Sequence, residues 1–411
     1  MLKIYNSLTR KIDEFKPLKN NEVGIYVCGP TVYGPTHLGH ARTWIFFDWL
    51  RRYFLFQNYQ VKFVQNITDA GHLIDDAEEG MDKIEQEAKL QGKTPAEIAQ
   101  FYEAQYFHDL AALNILKPDF SPRATEYIKD IIAFIEVLIQ KGHAYEAQGN
   151  VYFDVSSFSE YGQLSGRKSD FALQETRVKK DPLKKNQADF ALWLKAKENH
   201  LQKWPSPWGL SRAGSRGEGF PGWHIECSVM SEKILGQPFD IHGSASEHIF
   251  PHHENEIAQS VAFAHKPLAD YFLHAGMLLI DGHKMAKSLK NYLTVEDVLR
   301  ENEADTIRLA FMQTQWRKPY DWPVHRSLGE GGSKNATLEA GKLKGKLVRA
   351  KLEAKVGESR YEKEIVEAIE DDFNLPKVIT LIVNNLNQLT QGDFELIEKI
   401  FGLKLEVDKL S

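Results

Sequence analysis

In the stretch PHHENEIAQ, residues 251–259, His252 and Glu256 stand four positions apart and share one face of any helix that starts near Pro251. An imidazole and a carboxylate on one helix face can hold a divalent metal. Taken alone, they read more simply as an exposed polar pair at i, i+4 spacing. The chain has two cysteines, Cys28 and Cys227. Two thiolates, one imidazole and one carboxylate would form a plausible zinc site. The separations along the chain are large, so spacing by itself leaves a disulfide or two unrelated buried thiols equally open.

Two further clusters suit phosphate. In GPTHLGHAR, His37 and His40 flank Gly39 at the mouth of an expected helix. The unpaired N–H groups and positive dipole end of a helix attract phosphate, histidines can donate to its oxygens, and glycine lets a nucleotide lie close to the backbone. In DGHKMAKSLKN, 281–291, Lys284 and Lys287 lie on an expected loop. Two mobile ammonium groups there could neutralise charge as pyrophosphate leaves. Each cluster alone is a weak signal, because polar loop histidines and solvated loop lysines are common.

The elements that must position these residues are legible as periodicities. VGIYVCG (23–29), a helical pattern over 40–56 and VKFVQNITD (61–69) read as strand, helix, strand. FDIHGS (239–244), a helix over 251–265 and FLHAGMLLI (272–280) repeat the alternation. The expected fold class is therefore α/β: a split Rossmann-like, doubly wound parallel sheet with an inserted domain and a C-terminal α-helical bundle. Helical patterns over 78–113 and 124–141 open the intervening stretch, and 161–220 reads as loop-rich. The expected division is a first catalytic half over 1–120, a connective insertion over 121–215 and a second catalytic half over 216–282. A lysine-bearing loop region over 283–328 and a helical bundle over 329–411 follow. In GKLKGKLVRAKLEAK, six basic residues over 342–355 accompany Leu343, Leu347 and Ala350 on one side. That reads as a solvated helix face or as an RNA-facing surface.

Composition bounds the class. The chain has 411 residues, 42% hydrophobic and 26% charged, with a formal net charge of −6. This is an ordinary globular balance, and the charge disfavours nucleic-acid binding over the whole surface while leaving room for a local basic patch. No run of roughly 18 apolar residues and no secretory leader pattern is present, so a cytoplasmic protein with no membrane span is expected.

The histidine motif in the first half and K-M-x-K-S after the second resemble the class I aminoacyl-tRNA synthetases. Longer stretches narrow the likeness: YVCGPTVY, THLGHART, VQNITD, YGQLSGR, SPWG, PGWHIECS, FPHHENEIAQS, HKMAKS and DDFNLPK are similar to the cysteinyl-tRNA synthetases. That resemblance implies one Zn²⁺ per chain held by Cys28, Cys227, His252 and Glu256. It implies an ATP site using His37, Gly39, His40, Glu247 and Lys287, with Mg²⁺ on the triphosphate. It also implies an L-cysteine pocket formed by Cys28, Gly29, Thr68 and Trp223. His37, His40, Lys284 and Lys287 would be catalytic, and tRNA(Cys) would be the acceptor. Zinc makes physical sense there, since serine and cysteine are nearly isosteric while a thiol is the softer and more acidic ligand.

Several stretches depart from the family pattern. GSASE (243–247) stands where a glycine triplet followed by Asp is usual, so Ser244 and Ala245 are expected to crowd the nucleotide. Extra residues lie between SPWG and PGWH, and NITDAGHLIDDAEEG replaces a more Asp-rich continuation. The sequence ends with FGLKLEVDKLS, from which the lack of a C-terminal anticodon-reading domain is expected. The leading expectation is a monomeric cysteine–tRNA ligase. The alternatives are a ligase passing cysteine to a small amine, as in the mycothiol pathway, and a non-catalytic paralogue that binds cysteine, zinc or RNA.

Overall fold

The computed structural model describes residues 1–74, 80–167, 181–210, 216–285, 291–322 and 336–406. An antiparallel hairpin, β1 (Lys3–Asn6) and β2 (Lys11–Glu14), opens the chain. Strand β3 (Glu22–Val27), helix α1 (Leu38–Phe56) and strand β4 (Gln60–Gln65) then form the expected βαβ unit, with β3 and β4 parallel. Both strands stop just short of Cys28 and Asn66. The residues able to do chemistry therefore stand beyond the carboxyl ends of the strands, where a parallel sheet leaves a crevice.

Helix α1 is apolar on nearly every side because it is covered on nearly every side. Leu38, Trp44, Ile45, Phe46, Phe47, Trp49 and Leu50 are all buried. The Trp49 indole N–H donates to the Phe401 carbonyl at 3.0 Å, and Asp48 takes a fully buried ion pair from Arg308.

Where the periodicity suggests one helical run over 78–113, the chain forms α2 (Lys83–Gln91) and α3 (Pro95–Ala112). Gly92 ends the first in the left-handed region at φ 65°, and a Thr94–Glu97 capping box with Pro95 opens the second. Helix α4 (Ile128–Gln140) follows a short 3₁₀ turn. The stretch read as loop-rich is in part a sheet. Strands β5 (Ala144–Ala147), β6 (Asn150–Phe153), β7 (Phe190–Lys195), β8 (Trp204–Leu210) and β9 (Arg216–Pro221) pair antiparallel in the order β5-β6-β7-β9-β8. Its glycines and prolines disguised the last strands. Gly219 is required there, since a Cβ would lie 2.1 Å from the Trp193 indole nitrogen.

Helix α5 (Trp223–Leu235), strand β10 (Phe239–Ala245), helix α6 (Glu254–Ala264) and strand β11 (Ala269–Ala275) complete the central parallel sheet, in the order β11-β10-β3-β4. From Pro251 the chain runs through a π-type turn, 251–253, directly into α6, and Phe250 before it is extended at φ −141°, ψ 133°. The strand expected over 272–280 breaks at Gly276, where a Cβ would meet the Lys318 carbonyl oxygen at 2.2 Å. Beyond the break, β12 (Leu278–Ile280), β13 (His283–Lys284) and β14 (Tyr320–Trp322) form a separate small sheet.

Helices α7 (Val295–Glu301), α8 (Ala304–Met312), α9 (Ala336–Glu353), α10 (Glu362–Glu370), α11 (Leu375–Asn384) and α12 (Gln391–Phe401) make the helical region. Leu343 and Leu347 of α9 are buried and Ala350 is half-buried, as their shared face requires. No helix among the described residues is long and apolar enough to cross a membrane.

Candidate metal centre and active-site cleft

A cleft of about 340 Å³ opens at the carboxyl ends of β3, β4 and β10. Cys28, Gly29, Thr68, Trp223, Cys227 and His252 line one end of it, and His37, His40, His248 and Met285 also line it. Close backbone packing builds the floor. The Cys28 N–H donates to the Gly243 carbonyl at 3.0 Å, continuing the β3–β10 pairing. Gly243 admits the edge of Phe47 from α1, which would lie 2.1 Å from a Cβ. Gly29 donates its N–H to Asn66 Oδ1 at 2.9 Å and cannot carry a side chain, since a Cβ would sit 1.6 Å from the Asn66 carbonyl oxygen.

Ligand atoms of Cys28, Cys227, His252 and Glu256 all lie within 4.8 Å of one another, and all four residues are buried. Cys227 comes from the second turn of α5, and Glu256 from the first turn of α6. His252 and Glu256, expected as ligands on one helix face, are both buried, so the alternative of an exposed polar pair does not hold. Cys227 Sγ is 3.7 Å and Glu256 Oε1 3.1 Å from His252 Nε2. Glu256 Oε1 is buried yet makes no hydrogen bond. The other oxygen, Oε2, lies 2.9 Å from His242 Nε2. His252 Nδ1 meets His224 Nδ1 at 2.8 Å, which orients the ring and leaves Nε2 toward the cluster.

Burial pushes the thiol of Cys28 up and raises the carboxyl of Glu256, while the neighbouring Cys28 sulfur, with burial second, pushes the thiol of Cys227 well up. Burial and the surrounding imidazoles push His252 well below the ordinary range. Buried anions of this kind need a cation. Thiols and an orphaned carboxylate oxygen facing a neutral imidazole fit a divalent metal.

A second set, Cys28, His242, His253 and Glu256, is equally compact, and His253 Nε2 is 3.2 Å from Cys28 Sγ. The rings of His242 and His253 stack at 4.0 Å and 17°, and His253 Nδ1 meets His274 Nε2 at 2.9 Å. Three members of the first set line the cleft, and of the second set Cys28 alone does. Sequence reasoning left His253 and Glu254 without a role. Glu254 is a buried anchor whose carboxylate accepts from the Gly162 and Ser165 N–H groups at 2.9 and 2.8 Å.

At the phosphate end, His37 caps α1, and its Nδ1 accepts from the His40 N–H at 3.2 Å. The two imidazoles stack at 3.5 Å, and His40 lies in turn against Trp44. Burial, with His37 beside it, holds His40 well below the usual imidazole range. Lys284 is on the short strand β13 rather than in a loop and is ion-paired with Glu247; Lys287 lies outside the described residues.

Thr68 is buried and takes a hydrogen bond from Asn66 Nδ2 at 3.2 Å. Trp223 is a wall of the cleft, stacked on His72 at 4.0 Å and 11°. His72 belongs to the stretch that departs from the family pattern, and its Nδ1 and Nε2 lie 2.6 Å from Thr31 Oγ1 and Lys83 Nζ. Only its place in the GHL segment marked it, and sequence reasoning assigned it nothing. Ser244 does not project into open nucleotide space; it is buried, with its hydroxyl against His248 Nδ1. Of the extra residues before PGWH, 211–215 lie outside the described residues and the rest belong to β9.

The family pattern described as "tRNA synthetases class I (C) catalytic domain" matches residues 14–326. The cysteine–tRNA ligase of Chlorobaculum tepidum is 44% identical, over 94% of this chain and 79% of that protein. That of Thermus thermophilus is 43% identical, over 94% and 80%. The chain belongs to the cysteine–tRNA ligase family. Cysteine–tRNA ligases are ATP-dependent class I synthetases, and the fold agrees. Methionyl-tRNA synthetase of Mycobacterium tuberculosis, solved with methionyl-adenylate, superposes with a TM-score of 0.59 over 93% of this chain and 82% of that one, at 14% identity. Within this ligase, Cys28, Gly29, Thr68, Trp223, Cys227, His252, His37 and His40 share one cleft. Glu256 stands behind it, and Glu247 holds Lys284.

Proposed function

We propose that the cleft activates L-cysteine with ATP to cysteinyl-adenylate and pyrophosphate, then passes cysteine to the 3′ end of tRNA(Cys), with the substrate thiol selected at a zinc site. The observation that carries this reading is the convergence of Cys28, Cys227, His252 and Glu256 on a cleft also lined by the stacked histidines. Zinc bound by those four residues would take the substrate sulfur as a thiolate, a bond that serine oxygen forms far less well.

Cys28 and Cys227 would present sulfur to the ion, and Glu256 would supply the oxygen that makes no hydrogen bond. Thr68 and Trp223 would hold the rest of the amino acid. The cysteine carboxylate attacks the α-phosphorus and pyrophosphate leaves, so no covalent bond to the enzyme is needed. Catalysis is then positioning and charge stabilisation. His37 and His40, at the N-terminus of α1, would donate to phosphate oxygens; Lys284 and Lys287 would neutralise the leaving charge; Mg²⁺ would accompany the triphosphate. Gly39 would let the nucleotide lie against the backbone, and Glu247 would face its ribose once released from Lys284.

On this reading 1–120 and 216–282 are the catalytic halves, 121–215 the connective insertion, 283–328 the lysine loop and stem contact, and 329–411 the tRNA-facing bundle. The protein would work in the cytoplasm as a monomer. The relatives, all cysteine–tRNA ligases, favour tRNA over a small amine as acceptor.

Cysteine-dependent ATP–pyrophosphate exchange and charging of purified tRNA(Cys) test the reading together. Both are expected in the parent chain. Cys227→Ser is expected to lose bound zinc and exchange together, and full exchange in a metal-free preparation would sink the role of zinc. Exchange without charging would favour the small-amine ligase.

A further inference from the structure

We propose that Lys83 and His72 are positioning residues for the amino-acid end of the cleft: Lys83 fixes the proton of the His72 ring on Nδ1, and His72 thereby aims the Thr31 hydroxyl as a donor toward the substrate carboxylate. The inference rests on the amino-acid pocket proposed above. It starts from backbone pairing. Leu73 forms an antiparallel bridge with Asp82, the His72 N–H donates to Asp82 Oδ2 at 2.9 Å, and the Lys83 N–H donates to the His72 carbonyl at 2.9 Å. That register sets Lys83 opposite His72 at the start of α2. On the other side, Thr31 and Thr68 form a parallel bridge. The Val32 N–H donates to the Thr68 carbonyl at 3.1 Å and the Thr68 N–H to the Pro30 carbonyl at 3.0 Å, which prolongs the β3–β4 pairing past both strands. Each backbone is thus fixed, and the His72 side chain bridges the two.

The contacts fix the protons. His72 is buried, with Nε2 2.6 Å from Lys83 Nζ and Nδ1 2.6 Å from Thr31 Oγ1. An ammonium has three protons and no lone pair, so Nε2 must accept from it. A ring that accepts at Nε2 carries its proton on Nδ1, and that N–H donates to Thr31 Oγ1. A threonine hydroxyl has one proton and two lone pairs. With His72 on a lone pair, the Thr31 proton points elsewhere. Thr31, Thr68, His72, Lys83 and Trp223 all line the cleft, so an acceptor bound there can take that proton in a hydrogen bond. The ring of His72 is held in plane by its stack on Trp223, at 4.0 Å and 11°, and Trp223 lies in turn 4.4 Å from the His252 ring.

A substrate carboxylate offers only lone pairs. A freely rotating hydroxyl could meet it with a lone pair as readily as with its proton. One whose lone pair is engaged by His72 meets it as a donor, and a donor aimed in advance costs no reordering when the ligand binds. Lys83 acts through His72, and His72 through Thr31. His72 lies in the stretch NITDAGHLIDDAEEG, which departs from the family pattern, and Lys83 lies just beyond it.

The experiment measures kcat and the KM values for L-cysteine and ATP in pyrophosphate exchange. It compares the parent chain with Lys83→Met, Thr31→Val, the double variant, and His72→Phe, which keeps a flat ring on Trp223 and loses both hydrogen bonds. Each single variant is expected to raise the KM for L-cysteine about tenfold, with kcat and the KM for ATP near the parent's. The double variant is expected to be no worse than Thr31→Val, because Lys83 acts only through that hydroxyl. Additive losses, about a hundredfold in the double variant, would overturn the chain of contacts. A parental KM in Lys83→Met would overturn it too. A rise in the KM for ATP alone would place the hydroxyl on phosphate and overturn the assignment to the amino acid. Lys83 and Thr31 are half-buried, so their variants carry the test if His72→Phe does not fold. A parent chain without exchange would remove the pocket reading and this inference with it.

Discussion

At the scale of single residues, the centre depends on groups that water would otherwise ruin. Cys28, Cys227, His252 and Glu256 are each nearly inaccessible, and burial drives all four toward their uncharged forms. A divalent ion reverses that preference for the thiols and the carboxylate by supplying positive charge where solvent cannot. The position of Cys28 is set by its neighbour Gly29. Gly29→Ala would force its new carbon against the Asn66 carbonyl oxygen, 1.6 Å away, so β3 and β4 must part at the cleft. A loss of about 1–3 kcal/mol in unfolding free energy and a lowered content of bound metal per chain are expected, read by denaturant titration and metal analysis.

At the scale of elements, helix starts place the site. His37 caps α1, Trp223 starts α5 and Glu254 starts α6, so the side chains in question sit on the first turns of three helices or just before them. The start of α2 carries a pH dependence. Asp82 accepts from the Ile84, Glu85 and His72 N–H groups, and burial pushes its carboxyl up to about 6 from an ordinary 3.8. A raised value means that the folded chain takes up this proton before the unfolded chain does. The contribution is therefore full below 3.8 and lost as pH rises through about 6. Asp82→Asn keeps a capping oxygen and abolishes the titration. The stability of the parent minus that of the variant is expected to fall between pH 4 and pH 6, in urea titrations across that range. A flat difference would contradict the burial argument.

At the scale of the whole molecule, the helical region is fixed to the catalytic sheet through α1. The fully buried Arg308–Asp48 pair and the Arg308 contacts to the Phe401 and Leu113 carbonyls tie α8, α12 and the end of α3 together. Arg308→Met leaves Asp48 buried with Arg52 as its remaining partner, and a loss of about 3 kcal/mol is expected in chemical denaturation. The basic helix α9 also divides at this scale. Lys344 and Lys351 are engaged with Glu303 and Glu398 and largely covered, whereas Lys342, paired with Glu339, and Lys346 and Arg349 are exposed. The double variant Lys346→Glu, Arg349→Glu is expected to raise the KM for tRNA in charging about tenfold at low salt, with the difference shrinking as salt rises and pyrophosphate exchange unchanged. An unchanged KM would make α9 a solvated face and nothing more.

The sequence alone determined the two βαβ halves, because apolar periodicity reports which faces must leave water, and it supplied the residue types of the centre. It misjudged 161–220, where proline and glycine hide β8 and β9, which pair with each other and, through β9, with β7. It also ran a single strand through Gly276, which only the nearby Lys318 backbone forbids. Tertiary structure decided the rest. His252 and Glu256, for which an exposed pair was the plainer alternative, are buried beside Cys28 and Cys227, and Ser244 is buried against His248 rather than open to a nucleotide. Those outcomes depend on strand register and on backbones approaching closely at Gly29 and Gly243. Such contacts join Gly29 to Asn66 and Cys28 to Gly243 across intervening elements, and no local pattern carries them.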